Sequence, residues 1–125
     1  MSFLTDLIKE KASEVLAEKI SIPEGIQEQV LGGVADSIFG GVKETAGKEG
    51  GIDQLIELFT GREKASSSPV AQLASSIFSS NIAKKLSLSP AIVNAIVPMI
   101  PVIIEKFTSS KKIDINDLIA EATAA

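Results

Sequence analysis

The chain of 125 residues contains no histidine and no cysteine. These absences exclude thiol nucleophiles, disulfides, imidazole bases and the common zinc ligand sets. Tryptophan and tyrosine are also absent and only five phenylalanines are present, so the core must be built mostly from aliphatic side chains. The sequence starts without a basic segment followed by a long apolar run, which predicts no signal peptide. Together with the absence of cysteine, this leads us to expect a soluble, cytoplasmic protein.

The composition is that of a globular protein, with 45% apolar and 22% charged residues. A chain of this length is expected to form a single domain, residues 1–125, around one core. The formal net charge of −4 argues against a nucleic-acid partner, because phosphate binding relies on clustered lysine and arginine.

The sequence resembles itself at two places. Residues 16–23 (LAEKISIP) align with residues 82–90 (IAKKLSLSP), with Ser89 inserted before the second proline. Further along the chain, residues 52–57 resemble residues 115–120. Self-similarity of this kind indicates how many structural units a fold contains.

The repeat predicts two internal units of about three helices each, at about 3–62 and 70–125. Residues 63–69 (EKASSSP) are small and polar and end in a proline, which is typical of a linker. The predicted fold class is all-α: five to six short helices in an irregular array or bundle, built either as two copies of a three-helix unit or without a true duplication.

Apolar residues at helical spacing predict the individual helices. The expected ranges are 3–20, a second helix that opens after Ser21 and runs to about Gly40, 52–59, 70–86, 90–104 and a final helix that Asp114 or Asn116 caps. Ser21 and Glu24 form a capping-box pattern for the second helix, and Gly61 is expected to end the third. Gly32 and Gly33 lie inside the second helix and are expected to weaken or bend it.

Residues 91–104 (AIVNAIVPMIPVII) are apolar nearly all round the helix. Such a helix is either central to a core or in lipid. Fourteen residues span only about 21 Å, less than the roughly 30 Å of a bilayer's hydrocarbon layer. Pro98 and Pro101 also interrupt the backbone hydrogen bonding. We therefore expect a buried helix at the centre of the core, and we expect no integral membrane insertion.

Two residue patterns merit testing for catalysis. Ser79 and Ser80 precede Lys84 and Lys85 by helical spacing, but no recognised serine-nucleophile motif surrounds them. Acidic side chains recur four residues apart on the first helix, a pattern typical of a solvated face. The acidic residues there are Asp6, Glu10 and Glu14. The sequence therefore predicts no catalytic, cofactor-binding or metal-binding residue and no enzymatic activity.

Residues 82–93 resemble a helix-turn-helix, in which residues 89–94 would enter a major groove. Only Asn94 is a polar base reader there, and no basic residue follows until Lys106. The similar segment 16–26 lies in an acidic setting. DNA binding is therefore the most distant of the alternatives.

The turn Lys85-Leu86-Ser87-Leu88-Ser89-Pro90, followed by an apolar helix with Pro98 and Pro101, resembles the bacterial YidB-like proteins, a domain of unknown function. The resemblance covers mainly residues 73–107. It implies a multihelical array and a bacterial origin. It implies no catalytic residue.

Without a catalytic set, the leading hypothesis is a protein-interaction or self-association module. Gly32-Gly33 and Ala91/Ala95 would allow close contact with a partner helix, and internal packing would explain them equally well. The alternative hypothesis is a carrier of an apolar ligand, or reversible membrane association through the proline-containing helix.

Overall fold

The computed structural model describes residues 3–110 and 114–123. These residues form six helices and no strand, which confirms the all-α prediction of five to six helices. In chain order they are α1 (Phe3–Lys19), α2 (Glu24–Ala46), α3 (Gly51–Phe59), α4 (69–85), α5 (Pro90–Thr108) and α6 (Ile115–Thr123). A short 3₁₀ turn, Ala65–Ser67, lies between α3 and α4.

The helix at the centre of this array is α2, which contacts all five other helices. Its most extensive contact is with α4. The two helices approach closely because small residues recur every fourth position on the buried side of α2. These residues are Gly33, Ser37, Gly41 and Thr45. The two hydroxyls are satisfied within the helix, since Ser37 Oγ donates to the Gly33 carbonyl and Thr45 Oγ1 to the Gly41 carbonyl, each at 2.8 Å.

Two glycines of α2 lie directly against α4. A β-carbon on Gly41 would lie 2.8 Å from the Val70 carbonyl oxygen, and one on Gly33 would overlap the Ile82 side chain. The helix runs on to Ala46 instead of ending near Gly40 as predicted. Burial against α4 offsets the low helix propensity of these glycines, about 1 kcal/mol each.

The helix predicted over 70–86 is α4, which starts at Pro69 and contains one wide turn. Residues Phe78–Ile82 form a π-helical turn, in which the Ala83 amide donates to the Phe78 carbonyl. Inserted turns of this kind shift the faces of a helix. The shift turns Phe78 into the core and places Ile82 against Gly33.

The helix ends agree only in part with the expected caps. Ser68 and Ser89 accept hydrogen bonds from Val70 and Ile92, and Asp114 accepts one from the Asn116 amide. Gly61 ends α3 with φ +80°, as predicted. The capping box at Ser21 and Glu24 is wrong, since α2 begins at Glu24 directly after Pro23 and no side chain caps it. A residue before proline is disfavoured in the helical conformation, so the helix cannot start at Ile22.

The segment 63–69, predicted as a linker, carries two buried residues. Ala65 and Ser68 are buried, and the turn Ala65–Ser67 packs against α5. The two halves of the chain also contact each other, α1 with α5 and α2 with α4. The division into two repeated units stays a prediction from the sequence.

Candidate functional site

The inner face of α5 belongs to the core. Five side chains on it are buried, and all come from the face that meets the rest of the protein. They are Ile96, Ile100, Ile103, Ile104 and Phe107. The Phe107 ring meets Phe59 of α3 edge-on, with 5.5 Å between ring centroids. The most extensive contacts of α5 with α1, α2 and α4 come from its later part, Ile100–Thr108.

The opposite face of α5 is apolar but not covered. Ala91 and Pro98 are exposed, Ala95 is half-buried, and Val102 is 39% exposed. These four residues follow one another at helical spacing and form what we call the outer face of α5. Only 28% of the most apolar part of the helix is buried. The expectation of a buried helix at the centre of the core is therefore wrong, because α5 is buried on one face only and α2 occupies the middle of the fold.

This outer face also lacks charge. Between Lys85 and Glu105 the sequence contains no charged residue, and Asn94 is the one polar residue of positions 90–104. Soluble helices exposed on one side usually carry charged residues there. Val102 is the large apolar side chain of this face that is exposed.

The two prolines do not end the helix. Residues Val97–Met99 form a 3₁₀ turn around Pro98, and α-helix resumes at Ile100 with Pro101 in its first turn. The resulting helix has 19 residues, or about 28 Å, which makes it long and apolar enough to cross a membrane by length and composition. That criterion is weak support for a span, since buried helices of soluble proteins also meet it.

A groove lies beside this face, and Val102 is one of its lining residues. It has a volume of about 500 Å³ and runs between α1 and the end of α5. Lys11 and Glu14 line one wall and form an ion pair of 3.3 Å, while Glu105 and Lys106 line the other. Its charges balance, so the groove favours neither an anion nor a cation.

The residues considered for catalysis lie at the surface. Ser79, Ser80, Lys84 and Lys85 are exposed on α4, and so are the carboxylates of α1, Asp6, Glu10 and Glu14. Among the described residues no three acidic side chains converge as a metal site would need. Of these groups, Glu14 lines the groove between α1 and α5, and Lys85 lines a second groove beside Gly33.

The segment predicted as a helix-turn-helix does consist of two helices and a four-residue turn, 86–89. Ser87 has the left-handed φ of +53° in this turn. Asn94 is exposed at the start of α5, whereas Ile92 and Val93 are half-buried. The nearest basic residues are Lys84 and Lys85 before the turn, and the first basic residue of α5 is Lys106 near its carboxyl end, far from the predicted base-reading positions 89–94.

The two pairs of small residues named from the sequence have different surroundings. Gly33 serves internal packing, because Ile82 fills the space beside it. Gly32 faces open space, and Ala91 and Ala95 lie on the outer face of α5. Val102 was not predicted from the sequence to belong to this face, although its helical spacing from Ala91 and Ala95 places it on the same side of the helix.

Comparison of the chain with models of protein families, with curated proteins and with solved structures found no match. The resemblance to YidB-like proteins stays a prediction from the turn before α5.

Proposed function

We propose that the protein is a non-enzymatic helical interaction module that packs a helix of a protein partner against the outer face of α5. The observation that carries this proposal is the combination of exposure and composition. Ala91, Ala95, Pro98 and Val102 lie on the uncovered side of a helix that has no charged residue between Lys85 and Glu105.

The size of these side chains favours a helix over lipid as the occupant. Each buried methylene contributes about 0.8 kcal/mol, so a face of two alanines, one proline and one valine gains little from insertion into an acyl layer. Small residues instead let two helices approach closely, which increases the packing contacts of both.

Reversible membrane association is the second candidate, and the 19-residue length of α5 is the observation in its favour. Insertion of the whole helix would remove its five buried side chains from the core. At about 2 kcal/mol each, that loss is on the order of 10 kcal/mol, comparable with the whole stability of a small domain. Insertion would therefore unfold the protein, which makes this candidate the weaker one.

Photo-cross-linking tests the proposal. A benzophenone amino acid replaces Val102 in the full chain, expressed in the cells it comes from. The same substitution at Ile52 is the control, because Ile52 on α3 is 38% exposed and Val102 39%. We expect a protein adduct at position 102 and none at position 52.

Equal adducts at both positions, or none at 102, would overturn the proposal. A lipid adduct at 102, together with co-sedimentation of the protein with liposomes, would instead support membrane association. Circular dichroism of both variants checks that the substitutions leave the helices intact.

A further inference from the structure

The groove beside Gly33 lies between α2 and α4, and none of its lining residues belongs to α5. It has a volume of about 310 Å³, and Asp36 and Lys85 are the two charged residues that line it. We infer that this groove binds a short peptide with free termini, with the peptide's ammonium group on Asp36 and its carboxylate on Lys85. This inference goes beyond the proposed function, because it concerns a different surface of the protein.

Gly32 opens the middle of the groove. It lines the groove, and a β-carbon at this position would meet nothing within 4 Å. Glycine weakens the interior of a helix, and no packing contact accounts for it here, whereas Ile82 accounts for the adjacent Gly33. Glycine is common where a ligand approaches the backbone closely. Ile82 and the half-buried Leu86 supply apolar wall beside this gap, so an aliphatic ligand side chain fits there.

The two helices that form the groove run antiparallel. Gly33 of α2 contacts Ile82 of α4, and Gly41 lies against Val70, which is earlier in α4. Moving toward the end of α4 therefore means moving toward the start of α2. Lys85, three residues beyond Ile82, consequently lies level with about position 30 of α2.

The two charges of the groove are therefore separated along it. Asp36 is six residues beyond position 30, which at 1.5 Å per residue places it about 9 Å from the level of Lys85. Both side chains are exposed, and among the described residues neither forms an ion pair. Two unpaired charges of opposite sign at separate levels of one groove complement a zwitterion, since each can form a charge-assisted hydrogen bond with one end of it.

The separation and the neutral polar group of the groove favour a peptide over a free amino acid. An extended dipeptide spans about 7 Å at roughly 3.5 Å per residue, which matches the spacing of the two charges better than a single residue does. Gln29 lines the same wall three residues before Gly32. Its amide both donates and accepts hydrogen bonds, as a peptide bond does, and a free amino acid has no such group to offer it.

Titration of the ¹⁵N-labelled full chain with L-leucyl-L-alanine, followed by amide chemical shifts, tests the inference. We expect shifts at the residues of the groove and a dissociation constant on the order of 1 mM, as for a small ligand in an open site. The control ligand is the same dipeptide with an acetylated amino terminus and an amidated carboxyl terminus. It keeps the apolar side chain but lacks both charges, and should bind at least about tenfold more weakly.

Matched variants locate the site. Gly32→Ala puts a methyl group where the ligand would lie and should weaken binding about tenfold or more, although the fold has room for it. Gly25→Ala, on the same helix with open space around it and outside the groove, should not change binding. Lys85→Gln should weaken binding about tenfold, while Lys84→Gln, at the exposed neighbour that does not line the groove, should leave it unchanged.

Asp36→Asn tests the direction of the ligand. It should weaken binding of the free dipeptide and leave binding of the dipeptide acetylated only at its amino terminus unchanged. Equal affinity for the free and the doubly capped dipeptide, equal effects of Lys84→Gln and Lys85→Gln, or no shifts up to about 20 mM ligand would each overturn the inference. Because cross-linking from Val102 reports on α5 and this titration on the groove between α2 and α4, failure of either proposal is recognised separately.

Discussion

Gly33 of α2 and Ile82 of α4 are in direct contact, and a β-carbon at position 33 would overlap the Cγ2 methyl of Ile82. The adjacent Gly32 has nothing within 4 Å of the same position. Replacing these two neighbouring glycines by alanine should therefore change the stability in opposite directions. At Gly33 the missing side chain makes room for α4, while at Gly32 it only lowers helix propensity.

We expect Gly33→Ala to destabilise the protein by about 2 kcal/mol, because Ile82 is β-branched and has few rotamers with which to move aside. Gly32→Ala should stabilise it by about 1 kcal/mol through helix propensity. Urea unfolding of both variants measures these changes. The double variant Gly33→Ala/Ile82→Ala should lose less stability than the sum of the single changes, and strict additivity would contradict the contact.

At Gly41 the obstacle is backbone. A β-carbon would lie 2.8 Å from the Val70 carbonyl oxygen and 3.2 Å from the Ala74 amide nitrogen. Because neither atom can move without shifting α4, we expect Gly41→Ala to cost about 3 kcal/mol, more than Gly33→Ala. Gly25→Ala is the control, since Gly25 is exposed with nothing within 4 Å. If Gly41→Ala lowers the unfolding free energy no more than Gly25→Ala does, α2 and α4 lie further apart than these distances indicate.

These contacts explain why the sequence predicted the helices better than their packing. The spacing of apolar residues determines where helices form, and the ranges of α1, α3 and α4 follow it closely. Gly33 and Gly41 could either bend α2 or make room for another helix, and the outcome depends on whether another helix packs against them. That information is not local, so the predicted end of α2 at Gly40 was wrong. The π-helical turn of α4 could not be predicted for the same reason, since it depends on the contact between Ile82 and Gly33 of a different helix.

The outer face of α5 was predictable in composition but not in exposure. Residues 91–104 are apolar all round, and periodicity cannot assign an inside to such a helix. Only the positions of α1, α2 and α4 show that Ile96, Ile100 and Ile103 face inward. Val102 is consequently left outside.

Ser87 is a position where glycine should improve the fold. It is the second residue after the end of α4 and has a φ of +53°, while the Leu88 amide donates to the Ala83 carbonyl at 2.9 Å across the turn. A side chain in this conformation costs about 1 kcal/mol or more, which glycine avoids. We expect Ser87→Gly to raise stability by about 0.5–1 kcal/mol, reduced somewhat by the freer unfolded chain.

The same substitution at Ser13, which is exposed within α1, is the control for Ser87→Gly. It should lower stability by about 0.5 kcal/mol because glycine is the poorer helix former. Thermal unfolding followed by circular dichroism compares the two. Equal signs for both variants would contradict the left-handed turn.

Ile96 tests which side of α5 belongs to the core. It is fully buried, whereas Asn94 two residues earlier is exposed. Ile96→Asp places an unpaired carboxylate in an apolar environment and should cost about 4 kcal/mol or more, enough to unfold much of the protein. Asn94→Asp should change stability by less than about 0.5 kcal/mol, since it lies near the start of the helix where a negative charge is tolerated. Cooperative unfolding of Ile96→Asp at an unchanged urea midpoint would refute the burial of this face.

Val102 separates a role in association from a role in folding. Val102→Glu and Ile52→Glu introduce the same charge at side chains of nearly equal exposure, 39% and 38%. Neither position is deeply buried, so both variants should retain their unfolding free energy to within about 0.5 kcal/mol. Only Val102→Glu should weaken association with the partner of the outer face, by about tenfold or more, because its carboxylate would be desolvated against the partner helix. Photo-cross-linking of both variants from a benzophenone amino acid at position 91 checks this. Equal weakening by Ile52→Glu would move the contact surface away from α5, since the two residues lie on different helices and share only their exposure.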